Sequence, residues 1–147
     1  MRDDGYPDNW ARGISKNRYL SKDPEHPLKP VTFEYIKNRE NGMGEISIIW
    51  LENREAEEIA KSMLKRDSDE LMFILGFAVM MTNKMDEIIS DPYYGGNITY
   101  CHAPSHSNPY HGHICIPLEK DELARQLASE LADNAALYRY DESLPVG

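Results

Sequence analysis

The sequence has few cysteines, a deficit of basic side chains and no long apolar run. Its 147 residues include only 2 cysteines, too few for the disulfide framework of a small secreted scaffold. The 16 lysine and arginine residues are outnumbered by 25 aspartate and glutamate residues, which gives a formal net charge of −9. Because nucleic acids and anionic membranes bind basic protein faces, this balance argues against both as partners.

The longest apolar run covers residues 71–81, whereas a membrane-spanning helix needs about 20 apolar residues. Residues 1–7 contain no apolar stretch of the kind that a secretion signal requires. We therefore expect a cytoplasmic protein without a membrane span. In that compartment the two cysteines are expected to be reduced thiols, and a redox switch between them is the less favoured alternative.

An apolar content of 41% is enough for one hydrophobic core, so we predict a single α+β domain with a mainly antiparallel sheet. Periodicity places the elements as follows. Strands are predicted near residues 31–36, 45–51, 77–81, 97–103 and 111–118, and helices near residues 54–65 and 119–137. The first two strands are expected to form a β-hairpin, because Asn41 and Gly42 supply turn chemistry between them.

The segments outside these elements also carry expectations. Residues 1–30 combine four prolines with scattered aromatic side chains, which indicates an N-terminal arm packed on the domain. Residues 68–75 and 83–89 are predicted to be short helices on either side of the third strand. From residue 138 onwards we expect a short flexible C-terminal tail.

Four of the five histidines and both cysteines lie between Cys101 and Cys115, and no other stretch concentrates so many reactive side chains. Imidazoles and thiols titrate near neutral pH, so this cluster is the main candidate for a functional site. Strand alternation puts His111, His113 and Cys115 on one face of the last predicted strand, opposite an apolar face that must point to the core.

The pairing of the preceding strand decides which side chains join this face. In one register parity Tyr100 and His102 lie beside the histidines, and in the other parity Cys101 does. In a third interpretation, residues 104–110 are a solvated hairpin loop and the histidines are merely exposed. The sequence leaves all three open.

A metal site, if present, would use His111, His113 and Cys115 as ligands. The flanking residues do not complete the His-x-His motif of a metallo-β-lactamase, a cupin or a JAMM metalloprotease. We therefore predict no metal and no other cofactor.

An anion-binding role is predicted for a second group of side chains. Arg12 and Arg18 lie among aromatic residues in the N-terminal arm, and guanidinium groups beside imidazoles suit a phosphate or carboxylate. The opposing interpretation is that both arginines pair with surface carboxylates. The candidate catalytic residues are His111, His113 and Tyr100, and the candidate ligand-binding residues are Arg12, Arg18, His102, His106 and Tyr110.

Four short segments carry a family resemblance. In chain order they are Arg12-Gly-Ile-Ser, Gly44-Glu-Ile-Ser-Ile, Gly76-Phe-Ala and Asn108-Pro-Tyr-His-Gly-His. This order resembles small bacterial proteins that end in an Asn-Pro-x-His strand. The resemblance implies a bacterial-type protein but no particular activity.

Two functional hypotheses follow. The first is a small acidic binding or regulatory protein, which holds a partner protein or a small ligand through a surface of His and Tyr side chains around residues 100–115. The second is a small nucleotide- or phosphoester-processing enzyme, in which His111 or His113 acts on a substrate whose anion is clamped by Arg12 or Arg18. Whether the protein is an enzyme depends on whether the arm and the strand meet.

Overall fold

The fold is known from a computed structural model, which describes residues 2–38 and 42–147. Within these residues, seven antiparallel strands form one sheet, in the order β5-β6-β3-β1-β4-β7, with β2 paired to β3 beside β1. The strands are β1 (Asn9–Gly13), β2 (Ile36–Asn38), β3 (Met43–Trp50), β4 (Phe77–Met81), β5 (Thr99–His102), β6 (His111–Pro117) and β7 (Ala136–Tyr138), and the helices are α1 (Arg54–Ser62), α2 (Thr82–Ile89) and α3 (Asp121–Asn134). The predicted α+β domain with a mainly antiparallel sheet is confirmed.

α1 and α3 lie where the sequence predicts helices, but α1 ends at Ser62, and α3 ends at Asn134 because residues Ala136–Tyr138 form β7. The side chain of Asn53 accepts a hydrogen bond of 3.0 Å from the backbone N–H of Ala56 and so caps α1. In α3, the leucines spaced four residues apart, Leu123, Leu127 and Leu131, are all buried. Within the described residues, no helix combines the length and the apolar character needed to cross a bilayer.

The sheet is covered unequally on its two sides. The larger hydrophobic cluster lies on the side of Trp10, Trp50 and Ile114, and the buried faces of α2 and α3 pack there. A smaller cluster lies on the other side, where Ala60 of α1 and Leu144 near the C-terminus cover β1, β4 and the end of β3. The rest of that second side, over β5, β6 and most of β3, belongs to neither cluster within the described residues.

The prediction of a strand near residues 31–36 is wrong for most of these residues. Residues Pro30–Phe33 form a 3₁₀ turn, and extended pairing begins only at Ile36. Pro30 has no N–H to donate and a fixed φ, which suits the first position of a helical turn. The turn buries Phe33 in the larger cluster. The pairing of β2 with β3 still confirms the predicted hairpin, whose turn at Asn41 lies outside the described residues.

The N-terminal arm contains a central strand that the sequence did not reveal. β1 lies between β3 and β4, and both Trp10 and Ala11 are fully buried because each side of this strand is covered. A strand buried on both sides lacks polar and apolar alternation, and its short length hides it among the prolines of the arm.

Two further expectations differ from the structure. Residues 68–75, predicted as a short helix, are turns in which Leu71 bridges to Leu64. The C-terminal segment is packed: Leu144 is buried, and its backbone N–H donates a hydrogen bond of 2.6 Å to the carboxylate of Glu57. Glu57 also accepts from Arg54 and Lys61, so the segment is held by a charged network centred on the buried Glu57.

Candidate functional site

The register of β5 on β6 divides the cysteine and histidine cluster between the two sides of the sheet. Cys101 pairs with His113, and His102 pairs with Gly112. Paired residues share a side, so Cys101 joins His113, whereas His102 lies on the opposite side. Of the two parities, the structure has the one that brings Cys101 to the histidines. Tyr100 pairs with Ile114 and therefore lies with His102.

We use the term open face for the part of the sheet that neither hydrophobic cluster reaches. The pairings Glu45 to Cys115 and Ser47 to His113 extend it onto β3. Its polar members are Glu45, Ser47, Thr99, Cys101, His111, His113 and Cys115, and the register pair Met43 and Pro117 lies on the same side at its end. Thr99 and Cys101 are exposed, and the other members are partly exposed. The open face is therefore a mainly polar surface on three hydrogen-bonded strands.

His113 is held beside a carboxylate at the centre of the open face. Its Nδ1 lies 2.7 Å from Oε2 of Glu45, and the side chains are 20% and 16% exposed. Nδ1 makes no hydrogen bond within the described residues, so Glu45 acts on the ring mainly through its charge. Burial lowers the pKa of His113, the charge of Glu45 opposes that effect, and His111 adds to it. His113 is therefore largely neutral at pH 7.

His111 has a fixed orientation next to His113. Its Nδ1 lies 2.9 Å from the backbone oxygen of Ala103, which accepts only, so in the neutral ring the proton is on Nδ1 and Nε2 is the acceptor. The two imidazoles contact each other edge to face, with centroids 4.7 Å apart. Both rings are therefore positioned, one by the backbone and one by its neighbours.

The two cysteines lie on neighbouring strands of the hairpin. Cys101 is exposed, and Cys115 is partly buried two residues beyond His113, which is the register partner of Cys101. Burial raises the pKa of Cys115 to about 11, and the neighbouring Cys101 and Glu45 add to the increase. Cys115 is therefore a neutral thiol at pH 7.

The alternative ligand set of His111, His113 and Cys115 does not converge. Within residues 2–38 and 42–147, no three His, Cys, Asp or Glu side chains are arranged to hold a metal ion. Side chains on one face of a strand follow each other about 6.6 Å apart, so three in a row cannot surround one ion.

Tyr100 and His102, predicted to act with the histidines, belong to an aromatic cluster on the opposite side. Tyr6 stacks on His102 at 4.8 Å between centroids and lies 4.6 Å from Trp50. The hydroxyl of Tyr100 donates to Asp86 at 2.7 Å, and burial is the main cause of the raised pKa of Tyr100. A tyrosine held in this way supports packing and is a poor proton donor.

Gly112 makes this aromatic cluster possible. A Cβ at this position would lie 2.2 Å from Nε1 of Trp50 and 2.8 Å from the backbone oxygen of Cys101. The indole therefore occupies the space that a side chain at residue 112 would need. Neither Tyr6 nor Trp50 was a sequence candidate; the signal available was a glycine at a position where the alternation predicts an apolar side chain.

Arg12 is separated from His113 by the sheet itself. Ala11 pairs with Ile49, which shares a side with Ser47 and hence with His113, so the next residue, Arg12, points to the other side. There its Nη1 donates to the backbone oxygen of Ser47 at 2.7 Å. Its Nε donates to the backbone oxygen of Thr32 at 2.5 Å. The arginine fills the gap between β1 and β2 along β3, and the structure does not bring it to the histidines.

The remaining candidates lie at the periphery. Arg18 is exposed on a 3₁₀ turn, with its guanidinium 5.3 Å from the ring centroid of Tyr19. His106 is exposed in the loop between β5 and β6. The hydroxyl of Tyr110 donates to Glu55 and accepts from the side chain of Asn53, so Tyr110 connects this loop to the start of α1.

Similarity to other proteins assigns no role to these residues. No family model matches the chain, and no curated protein or solved structure matches it. The fold defines an α+β domain built on one antiparallel sheet. The chemistry of the open face comes from this chain's own side chains.

Proposed function

We propose that this chain is a small binding or regulatory protein that holds a partner protein through the open face. The observation that carries the proposal is the unequal covering of the sheet. On one side, helices bury the sheet, whereas the open face presents seven polar side chains on three paired strands. A surface on paired strands is rigid, so its hydrogen-bonding groups are arranged before binding and less entropy is lost on association.

The charges favour a protein partner over a small anion. The two arginines proposed as an anion clamp do not reach the open face together: Arg12 donates to backbone oxygens on the opposite side, and Arg18 lies on an outer turn. His113 carries little positive charge at pH 7, and Glu45 adds a negative one. With a net charge of −9, the protein would attract a partner with a basic surface. We propose a cytoplasmic location for this binding.

The test is a binding comparison between two lysine substitutions. Tagged protein captures partners from a lysate of its native cell, and each captured protein is then purified and titrated against the wild type and both variants. Thr99→Lys places a positive charge on the open face, whereas Ser90→Lys places one at an exposed position after α2. We expect Thr99→Lys to weaken binding at least about tenfold, or about 1.4 kcal/mol, and Ser90→Lys to leave the affinity unchanged. Equal affinities for both variants would contradict the proposal.

A second candidate function rests on the pairing of His113 with Glu45. A neutral imidazole beside a carboxylate is an arrangement that can accept a proton from a nucleophile, as a hydrolase requires. In this version the phosphoester substrate would bind without the Arg12 clamp. Turnover of p-nitrophenyl phosphate or of a nucleotide that is lost in His113→Gln and kept in His106→Gln would support it. Activity that is unchanged in His113→Gln would exclude this role for the histidine.

A further inference from the structure

We propose that Cys101 and Cys115 are a peroxide-sensitive pair, which closes an intramolecular disulfide between β5 and β6. Both side chains lie on the open face, on neighbouring antiparallel strands. Cys101 is the register partner of His113, and Cys115 is the register partner of Thr99, so the two cysteines are diagonal neighbours. Both are free thiols in the described structure.

Closing the bond requires only a small movement. Diagonal neighbours in an antiparallel pair are about 7–8 Å apart, whereas the Cα atoms of a disulfide are about 4.4–6.8 Å apart. β5 lies at the edge of the sheet and is paired in the described structure only with β6. An edge strand is restrained on one side alone, so β5 can move by the ångström or so that the bond needs.

The order in which the two thiols react follows from their unequal environments. Cys101 is exposed and reachable by a peroxide, whereas Cys115 is partly buried and remains protonated at pH 7. We therefore assign Cys101 as the residue that is oxidised first and Cys115 as the residue that resolves the product. This is the arrangement of an accessible thiol next to a resolving one.

The reaction balances with hydrogen peroxide as the oxidant. The Cys101 thiolate attacks one peroxide oxygen, the O–O bond breaks, and the sulfur becomes a sulfenic acid while the departing hydroxide takes a proton to give water. The sulfur of Cys115 then attacks the oxidised sulfur, the S–O bond breaks, and the thiol proton joins the departing hydroxide as a second water. Overall, two thiols lose two electrons and two protons, and one peroxide becomes two waters.

The experiment treats the purified, fully reduced chain with hydrogen peroxide in the absence of any partner. Remaining thiols are then alkylated and the products are analysed by mass spectrometry. We expect the wild type to lose two hydrogens, to stay at the mass of one chain, to yield a single linkage between residues 101 and 115, and to be restored by dithiothreitol. Because no partner is present, this result is independent of the proposed binding function.

Two serine variants test the assigned order. Cys115→Ser is expected to accumulate a sulfenic acid on Cys101 that dimedone traps, and Cys101→Ser is expected to react with peroxide at least about tenfold more slowly than the wild type. Equal rates for Cys101→Ser and the wild type would overturn the order. Disulfides between chains, or oxidation of Cys101 to sulfinic acid without a linkage to Cys115, would overturn the pair itself. The wild-type result decides alone if either variant fails to fold.

Discussion

Replacing Arg12 by methionine separates a structural role from a ligand-binding role for this arginine. The guanidinium donates to the backbone oxygens of Thr32 and Ser47 and so joins the turn before β2 to the middle of β3. Hydrogen bonds from a charged donor contribute about 1.5–3 kcal/mol each, so losing two costs about 3–6 kcal/mol. Methionine keeps the apolar stem, and removal of a buried charge returns part of the loss.

We therefore expect Arg12→Met to lower the free energy of unfolding by about 2–4 kcal/mol, measured by urea denaturation. Arg18→Met is the matched control, because it makes the same substitution at an exposed position and should change stability by less than about 0.5 kcal/mol. If Arg12→Met unfolds at the same urea concentration as Arg18→Met, the two carbonyl contacts do not hold β1, β2 and β3 together and the reasoning is refuted.

Two further perturbations test the packing around the site. Gly112→Ala should destabilise the protein by about 1–3 kcal/mol in thermal denaturation, because the new methyl group meets the Trp50 indole; an unchanged melting temperature would contradict this packing. Glu57→Gln should lose stability relative to the wild type by a constant amount above about pH 4.5 and by progressively less as the pH falls below that value. Burial alone would raise the pKa of Glu57, but hydrogen bonds from Leu144, Arg54 and Lys61 outweigh it and lower the pKa in the fold. The charged form of Glu57 therefore stabilises the protein above the unfolded pKa. This stabilisation disappears as the pH falls through the lower folded pKa. A difference between the two proteins that stays constant down to pH 2, measured by urea denaturation, would count against this network.

The elements that the sequence predicted well are those whose pattern is local. α3 shows its buried leucines at helical spacing, and β6 shows Ile114 and Ile116 alternating with polar residues. β1 could not be found in this way, because it is buried on both sides and its stability comes from β3 and β4, which are distant in the sequence. The residues near 31–36 have a strand-like composition, but Phe33 gains more by packing into the larger cluster from a turn.

The candidate site shows the same division. Alternation correctly placed His111, His113 and Cys115 on one face, because that inference needs only the strand itself. Which residues of β5 face them depends on a register that differs by a single residue between the two choices. Glu45 was not a candidate at all, since nothing local in β3 indicates that it lies beside His113.

The central claim, that the open face is the functional surface, is tested most directly by hydrogen exchange with and without a purified partner. We expect binding to slow amide exchange in Thr99–His102 and His111–Pro117, with no change in Asp121–Asn134 on the covered side. Protection confined to Asp121–Asn134 or to the turn at Pro30–Phe33, with β5 and β6 unaffected, would contradict the claim.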